Sequence, residues 1–547
     1  MTDAVEAQGG QGIAGVARDG RALVDRVAEH ALWNESIGDA LGRLSKDAAD
    51  TPAILWAADD GPGRITWSEL CDQALRGAAT LLDINPRRGR VALSALNSVD
   101  WIVAMFASAV AGMPCVPVSA SATKDELRYQ LENADVAVVL AARSAGEHQV
   151  LASMTALADC LDNPPVVRDI ATICSNEPTT AAAVSADSEF LVQYTSGTTG
   201  RPKAASLSHQ AALNSALVFS RVWDGGGGDR FFNPLPLHHV GGSVTGLVAA
   251  LAMGGTYVLV ERFSPQLVLD SLRQTRPTIA GLVPTMMIDM LAMPGVSPAD
   301  FASLRTVIGG ASAIDPALIV QMEQRLGVTV IGSYGQSEAP AILASSPHDP
   351  PRIRTQTLGR CLPGRAIAVR DNNGVVSRIG EVGELCVRGP LTMTGYLQSD
   401  GSIDAATDAD GWRRTGDLCS MDDDGVITFH GRIREVIIRG GLNIYPAEIE
   451  QALSTHDSVA EIAVFGAADS RLGERVVAAV IPAANATVEL AELSALAGER
   501  LSSYKRPVDW LVVSILPRTS TGKVRKHQLR EWYESGILND MCGAATS

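Results

Sequence analysis

Residues Glu189 to Ala205 read EFLVQYTSGTTGRPKAA. The apolar run EFLVQ predicts a strand. TSGTTG follows, and then Arg201 and Lys203. Glycines let backbone N–H groups converge on an anion without a Cβ in the way, and serine and threonine hydroxyls add donors. With two cations beside them, such a loop suits a polyphosphate. It is not the GxxxxGK[ST] phosphate loop, because Lys203 follows Gly200 by three positions and no serine or threonine comes after it. SHQAALNSALVFS predicts a helix next, giving strand, loop, helix.

The same alternation extends on both sides. RVALSALN (Arg90 to Asn97) and MPCVPVSA (Met113 to Ala120) predict strands around the helix WIVAMFASAVAG. TYVLVE, TIAGLVP, TVIGG and VTVIGSYGQSEAP predict further strands, with SPQLVLDSLRQTRP as a helix. Repeated strand–helix alternation signals an α/β protein. After about residue 360 shorter strands with glycine turns take over. From about residue 434 the order strand, helix, strand, strand, helix, strand suggests a separate α+β unit of roughly 110 residues.

The chain has 547 residues, 46% of them apolar and 19% charged, enough for a sizeable core in more than one domain. A net charge of −16 supplies no basic face for nucleic acid or an anionic membrane. The eight cysteines show no CxxC spacing, which points to reduced thiols in a cytoplasm rather than zinc sites or disulfides. The first residues lack the basic and apolar regions of a signal peptide. No apolar stretch reaches the ~18 residues of a membrane span, so no membrane insertion is expected. Gly10, Gly12 and Gly15 fit GxGxxG, but no strand precedes them, and a flexible tail is expected there.

Further motifs follow the glycine loop: SYGQSEAP (Ser333 to Pro340), RTGDL (Arg414 to Leu418), GRIREVIIRGGLNIYPAEIE (Gly431 to Glu450) and PRTSTGKVRK (Pro517 to Lys526). In these segments and in this order the chain resembles the adenylate-forming superfamily of acyl-CoA synthetases, adenylation domains and luciferases. FSPQLVLDSL and TIAGLVPTMMIDML are similar to its medium-chain and cyclohexanecarboxylate CoA ligase branch. The resemblance implies an α/β fold: a large N-terminal adenylate-forming domain of sheets flanked by helices, and a small mobile α+β C-terminal domain. The expected divisions are a tail 1–25, the large domain 26–433, the small domain 434–535 and a tail 536–547.

It also implies the reaction. A carboxylate attacks the α-phosphate of Mg-ATP, pyrophosphate leaves, and a thiol then displaces AMP from the acyl-adenylate. Thr195, Ser196, Gly197, Thr198, Thr199, Gly200 and Lys203 would cradle the β- and γ-phosphates. Glu338 would hold Mg2+, a hard ion for a carboxylate oxygen. Ser337 stands where the family usually has threonine and keeps the hydroxyl. Asp417 would accept from the ribose hydroxyls, with Arg432 in support. Gly309, Gly310 and Ala311 would let the backbone approach adenine, with Tyr334 and Gly335 beside it. Lys523 would stabilise charge developing at the α-phosphate. The small domain would rotate about Arg434, where relatives carry Asp or Lys, and bring Arg439, Gly440 and Gly441 to the pantetheine of CoA. Glu435 stands where Asp is frequent.

FFNPLPLHHVGG (Phe231 to Gly242) looks like the family's acyl-site segment. His239 matches its histidine, and His238 replaces its aromatic residue. Val240, Gly241, Val283, Pro284, Thr285, Ile308, Ala339 and Pro340 would line the pocket, with no buried Arg or Lys for a second carboxylate. A medium-chain, alicyclic or aromatic monoacid is expected. The acceptor is free CoA or, alternatively, a carrier protein. Adenylation of another oxyacid such as nitrite, amide formation, and a silent nucleotide-binding homologue are the remaining alternatives. Monomer and homodimer both stay open.

Overall fold

A computed structural model of the chain describes residues 19–195, 202–310, 314–483, 486–518 and 524–537. Its centre is built on two helices, Trp67–Ile84 and Val99–Ala111. The first starts at a capping box, in which the Thr66 hydroxyl accepts from the Glu69 N–H and Glu69 answers at the Thr66 N–H. The second is apolar on all sides and ends at Gly112, with φ of 69°. A helix apolar all round has to be enclosed. Here it sits in one apolar cluster with Ile54 and Phe231 of one sheet and Val91, Leu93 and Leu191 of another. Each large side chain sealed in this way contributes roughly 1.5–3 kcal/mol relative to exposure.

Among the described residues the strands form four sheets. The nine-stranded sheet runs in the order 360–361, 339–344, 329–336, 306–309, 279–282, 230–232, 256–258, 52–56, 63–66. Its central strands are parallel, and Thr329–Gln336 and Ala339–Ala344 form an antiparallel hairpin towards one edge. The eight-stranded sheet contains Glu189–Thr195, flanked by Cys115–Pro117 and Lys203–Ser208. A five-stranded antiparallel sheet carries Arg413–Met421 and Ile427–Arg432. Strands from Ile437–Arg439 onward build the fourth sheet, covered by helices Pro446–Leu453, Leu490–Arg500 and Lys526–Glu534. No described helix is long and apolar enough to cross a membrane.

Two expectations are corrected. The glycine loop does not run straight into a helix. Residues Lys203–Ser208 form a strand that pairs antiparallel with Glu189–Thr195, so the loop joins the arms of a hairpin before the helix His209–Ser220 begins. KAASLS has small and hydroxyl residues with weak strand propensity, and pairing on both sides overrides it. The expected tail 1–25 also ends too late. Leu23–Asp25 pairs antiparallel with Ala366–Ala368, and Ala22 and Val24 are buried.

Gly359 adopts φ of 77°, and a Cβ there would fall 2.1 Å from the Ala344 carbonyl. Gly359→Ala is expected to destabilise the large domain by about 2 kcal/mol or more, read as a lower urea midpoint at unchanged slope.

Candidate active site

The hairpin Glu189–Ser208 brings Thr195 and Lys203 opposite each other. Ser196, Gly197, Thr198, Thr199, Gly200 and Arg201 lie outside the described residues. Strand Gly395–Leu397 pairs with Ala204–Ser206 and places Tyr396 beside Lys203. Lys203 Nζ lies 4.9 Å from the centre of the Tyr396 ring, a cation–π contact. The Tyr396 hydroxyl donates to Glu338 Oε1 at 2.7 Å, and the Thr195 hydroxyl approaches the same oxygen at 3.4 Å. Burial, followed by the Glu338 carboxylate, raises the Tyr396 pKa, so the phenol remains a donor. Met393 N–H donates to the Glu338 carbonyl at 2.7 Å. Four residues from two sheets thus converge. Thr195, Lys203 and Glu338 were expected; Tyr396 was not, because only strand pairing puts it there.

Ser337 and Glu338 are the two loop residues of the hairpin Thr329–Ala344, since Gln336 pairs with Ala339. The preceding strand carries a second polar corner. Asp417 is 2% exposed. Its Oδ2 accepts from the Tyr334 hydroxyl at 2.5 Å and from Gln336 Nε2 at 3.0 Å, while Arg432 Nε lies 3.3 Å from Oδ1. Gln336 also donates to the Thr415 carbonyl at 2.8 Å. Residues 417 and 432 face each other across paired strands. A carboxylate offers about four lone-pair sites, so three protein donors leave capacity for a ligand hydroxyl. Burial and then Asp417 raise the Tyr334 pKa, keeping it protonated. Gln336 is a site residue that no charge or glycine pattern announced.

The expected glycines have reasons within the chain itself. A Cβ on Gly310 would meet Ser333 Oγ at 2.7 Å, one on Gly309 would meet Ile314 Cδ1 at 2.2 Å, and one on Gly335 would meet the Ala341 nitrogen at 2.4 Å. Each glycine permits close packing of neighbouring segments. Ala311 lies outside the described residues.

In the segment expected to border the acyl group, polar side chains fix the loop Asn233–His239. Asn97 accepts from Leu237 N–H at 2.8 Å and donates to the Leu235 carbonyl at 3.0 Å. Gln193 donates to the His238 carbonyl at 3.0 Å, and Asn233 to the Gly241 carbonyl at 2.8 Å. The His238 and His239 rings lie 4.4 Å apart. His238 Nε2 is out of contact with solvent and has no protein partner. Burial, with a smaller contribution from His239, lowers the His238 pKa to about 3, so the ring is neutral. A turn of helix at Val240–Gly242 leads into the π-helix Ser243–Val248, a form frequent at functional sites.

Val283 precedes the helix Pro284–Ala292, and Thr285 lies in its first turn. Ile308 sits on the adjacent parallel strand opposite Gly281. Ile308 and Val240 belong to the main apolar cluster, Val283 to a second cluster and Ala339 to a third. A fully buried arginine, Arg365, packs behind Pro340 and Ala341. Its Nη1 donates to the carbonyls of Pro340 at 2.9 Å and Ala341 at 2.5 Å. Burial lowers its pKa to about 10. Ala341 holds φ of 55°, a left-handed conformation costly for a residue with a Cβ, and Arg365 grips the peptide carbonyls on either side of its nitrogen and carbon.

Arg434 is exposed in a short turn, Ile433–Glu435. Arg439 ends the first arm of the hairpin Ile437–Ile444, and its Nη1 donates to the Tyr504 carbonyl at 2.7 Å. Gly440 and Gly441 have φ of 59° and 82°. Two successive left-handed residues in a two-residue hairpin loop require glycine or asparagine, so the turn alone explains this pair. Lys523 lies outside the described residues. The span holding it is closed at its base, where Arg525 N–H donates to the Pro517 carbonyl at 2.7 Å. Arg518 acts electrostatically on Asp289, on the helix Pro284–Ala292.

His238 and His209 are both held neutral by burial, with pKa values of about 3 and about 4. Each binds fewer protons folded than unfolded, where its pKa is near 6.5, so stability falls as pH drops below about 6.5. His238→Phe is expected to flatten the decline of melting temperature between about pH 6.5 and pH 4 and to change little at pH 8. Tyr396→Phe, which removes the donor to Glu338, is expected to raise the KM for Mg-ATP about threefold or more.

The AMP-binding enzyme family matches residues 43–397, and the AMP-binding enzyme C-terminal domain matches 448–523. A 3-[(3aS,4S,7aS)-7a-methyl-1,5-dioxo-octahydro-1H-inden-4-yl]propanoyl:CoA ligase of Rhodococcus jostii is 33% identical over 517 residues, covering 90% of this chain and 98% of the relative. An indoleacetate–CoA ligase of Aromatoleum aromaticum is 34% identical, covering 81% and 88%. Among solved structures, ATP-bound MatB from Rhodopseudomonas palustris superposes with a TM-score of 0.82 at 27% identity, covering 92% of this chain and 99% of that one. The chain belongs to the AMP-binding, adenylate-forming enzyme family, on its acyl-CoA synthetase branch.

Proposed function

We propose that the chain is an ATP-dependent acid–thiol ligase that converts a medium-chain, alicyclic or aromatic monoacid to its acyl-CoA. One observation carries this reading: the hairpin Thr329–Ala344 bears both the Tyr334–Gln336 contacts to Asp417 and, at its loop, Glu338 beside the Thr195–Lys203 hairpin. The corner that would take the ribose diol and the corner that would take the phosphates are thereby joined by one hairpin, an arrangement that suits a nucleotide. The relatives' bicyclic propanoyl and indoleacetyl groups support a bulky, largely apolar acid.

In the first step a carboxylate oxygen bonds to the α-phosphorus of Mg-ATP and the bond to pyrophosphate breaks. Catalysis here is positioning and charge neutralisation. Lys203 and the loop hydroxyls would hold the β- and γ-phosphates, and Lys523 would face the α-phosphate. Among the described residues there is no cluster of three or more His, Cys, Asp or Glu for a resident metal. Magnesium arriving on ATP needs only one or two protein carboxylates, and Glu338 fits that role. Asp417 and Arg432 would hold the ribose. In the second step the thiol sulfur bonds to the acyl carbon, the bond to AMP breaks, and the thiol proton passes to solvent. For this the small domain, 434–535, would turn about Arg434 and present Arg439–Gly441 to pantetheine. His238, neutral and without a protein partner, would offer a hydrogen bond to a carbonyl or hydroxyl of the acid. The unpaired thiols of the described cysteines support a cytoplasmic setting.

A panel of carboxylic acids with Mg-ATP, followed by pyrophosphate release and by mass spectrometry with and without CoA, tests this. Acyl-CoA from a cyclic or medium-chain acid is expected. Acyl-AMP that accumulates unchanged by CoA would assign the acceptor to a carrier protein or an amine. Lys523→Ala is expected to lose adenylation at least 100-fold yet still convert preformed acyl-AMP.

A further inference from the structure

The pivot residue lies between two ion pairs. On its N-terminal side Arg432 Nε is 3.3 Å from Asp417 Oδ1, within paired strands of the large domain. On its C-terminal side Glu435 Oε2 is 3.4 Å from Lys526 Nζ. Lys526 also meets Glu450 Oε1 at 2.7 Å, and the same oxygen accepts from Val464 N–H at 2.7 Å. Lys526 opens the helix Lys526–Glu534, whose Leu529 is buried among Phe465, Val477 and Leu511. Burial opposes the Lys526 charge, and the Glu450 and Glu435 carboxylates outweigh it, so the ammonium is held above the usual lysine pKa. Glu435 is therefore anchored to the small domain's core, as Arg432 is anchored to the ribose corner. Between the anchors lie only Ile433, 41% exposed, and Arg434, also exposed.

We propose that Lys526 is a positioning residue for the thioester-forming half-reaction: through Glu435 it confines the domain rotation to the backbone of Ile433 and Arg434. The inference rests on the two-step ligase reading above. A pivot gains precision by being short, because every additional free residue must be ordered again whenever the second arrangement forms. Without the ammonium, two half-buried carboxylates would face each other and push the turn off the small domain. Glu450, which ties Lys526 to the strand at Val464, secures the anchor rather than the pivot.

The test uses the full chain with Mg-ATP and whichever of octanoate, cyclohexanecarboxylate or benzoate releases pyrophosphate. Adenylation is followed by single-turnover pyrophosphate release, and the second step by mixing preformed acyl-AMP with CoA. A wild-type chain that performs neither step refutes the ligase reading before any variant is compared. With both steps present, Glu435→Gln and Lys526→Gln are each expected to slow thioester formation about fivefold or more while adenylation stays within about threefold. The double variant should be no slower than the worse single one, the non-additivity of residues that act as a unit. Lys526→Arg should recover to within about twofold. Glu450→Gln should lower the melting temperature and leave the thioester rate within about twofold. The proposal is overturned if Glu435→Gln runs both steps at the wild-type rate, or if the two effects multiply. Should Lys526→Gln fail to fold, Glu435→Gln decides alone.

Discussion

The hydrogen bond from the Tyr396 hydroxyl to Glu338 joins two sheets. Glu338 sits at the loop of a hairpin in the nine-stranded sheet, and Tyr396 sits on a strand of the eight-stranded one. Met393 N–H on the Glu338 carbonyl and the Thr195 hydroxyl on its carboxylate reinforce the seam. A site assembled across a seam depends on contacts that neither sheet supplies alone. Lys203, whose Nζ lies 4.9 Å from the centre of the Tyr396 ring, packs on the same tyrosine. The Lys203 cation and the Glu338 carboxylate therefore share one aromatic support.

The second organising constraint is desolvation. Asp417, Arg365, His209 and His238 are polar groups removed from water, and the fold handles them differently. Asp417 is satisfied by a tyrosine, a glutamine and an arginine. Arg365 spends its Nη1 on two carbonyls while its Nε and Nη2 lack protein partners. The histidines stay neutral. Incompletely satisfied buried polar groups are costly, and Arg365 and His238 both lie beside the residues assigned to the acyl pocket. The groups that the fold satisfies least well thus lie close to the residues proposed to receive the acid.

Charged residues in glycine-rich settings were legible in the sequence, because few folds need Lys203, Glu338, Asp417 or Arg432 in such company. Tyr396, Gln336, Asn97 and Asn233 were not, since their roles arise from pairings between distant segments. Tyr396 enters only because 395–397 pairs with 204–206. The strand 203–208 was hidden by its own composition and appears once both neighbours supply hydrogen bonds. At Gly309, Gly310, Gly440 and Gly441 the fold itself favours glycine. What the sequence could not separate is space for a ligand from packing against Ile314 and Ser333, or from the φ of a tight turn. Arg365 escaped because it follows the turn residues Pro363 and Gly364, where a surface cation would be the ordinary reading.

The small domain owns its apolar clusters. Ile437, Ile449, Leu453, Val464 and Leu493 form one and Phe465, Val477, Leu511 and Leu529 another, both made from residues beyond Arg434. Cooperativity follows shared burial, so a unit with a private core can lose its heat of unfolding separately from the rest. A calorimetric trace of this chain should accordingly resolve into two transitions. A ligand contacting both units would draw them together, making the separation between the peaks a thermometer for how tightly the two are engaged.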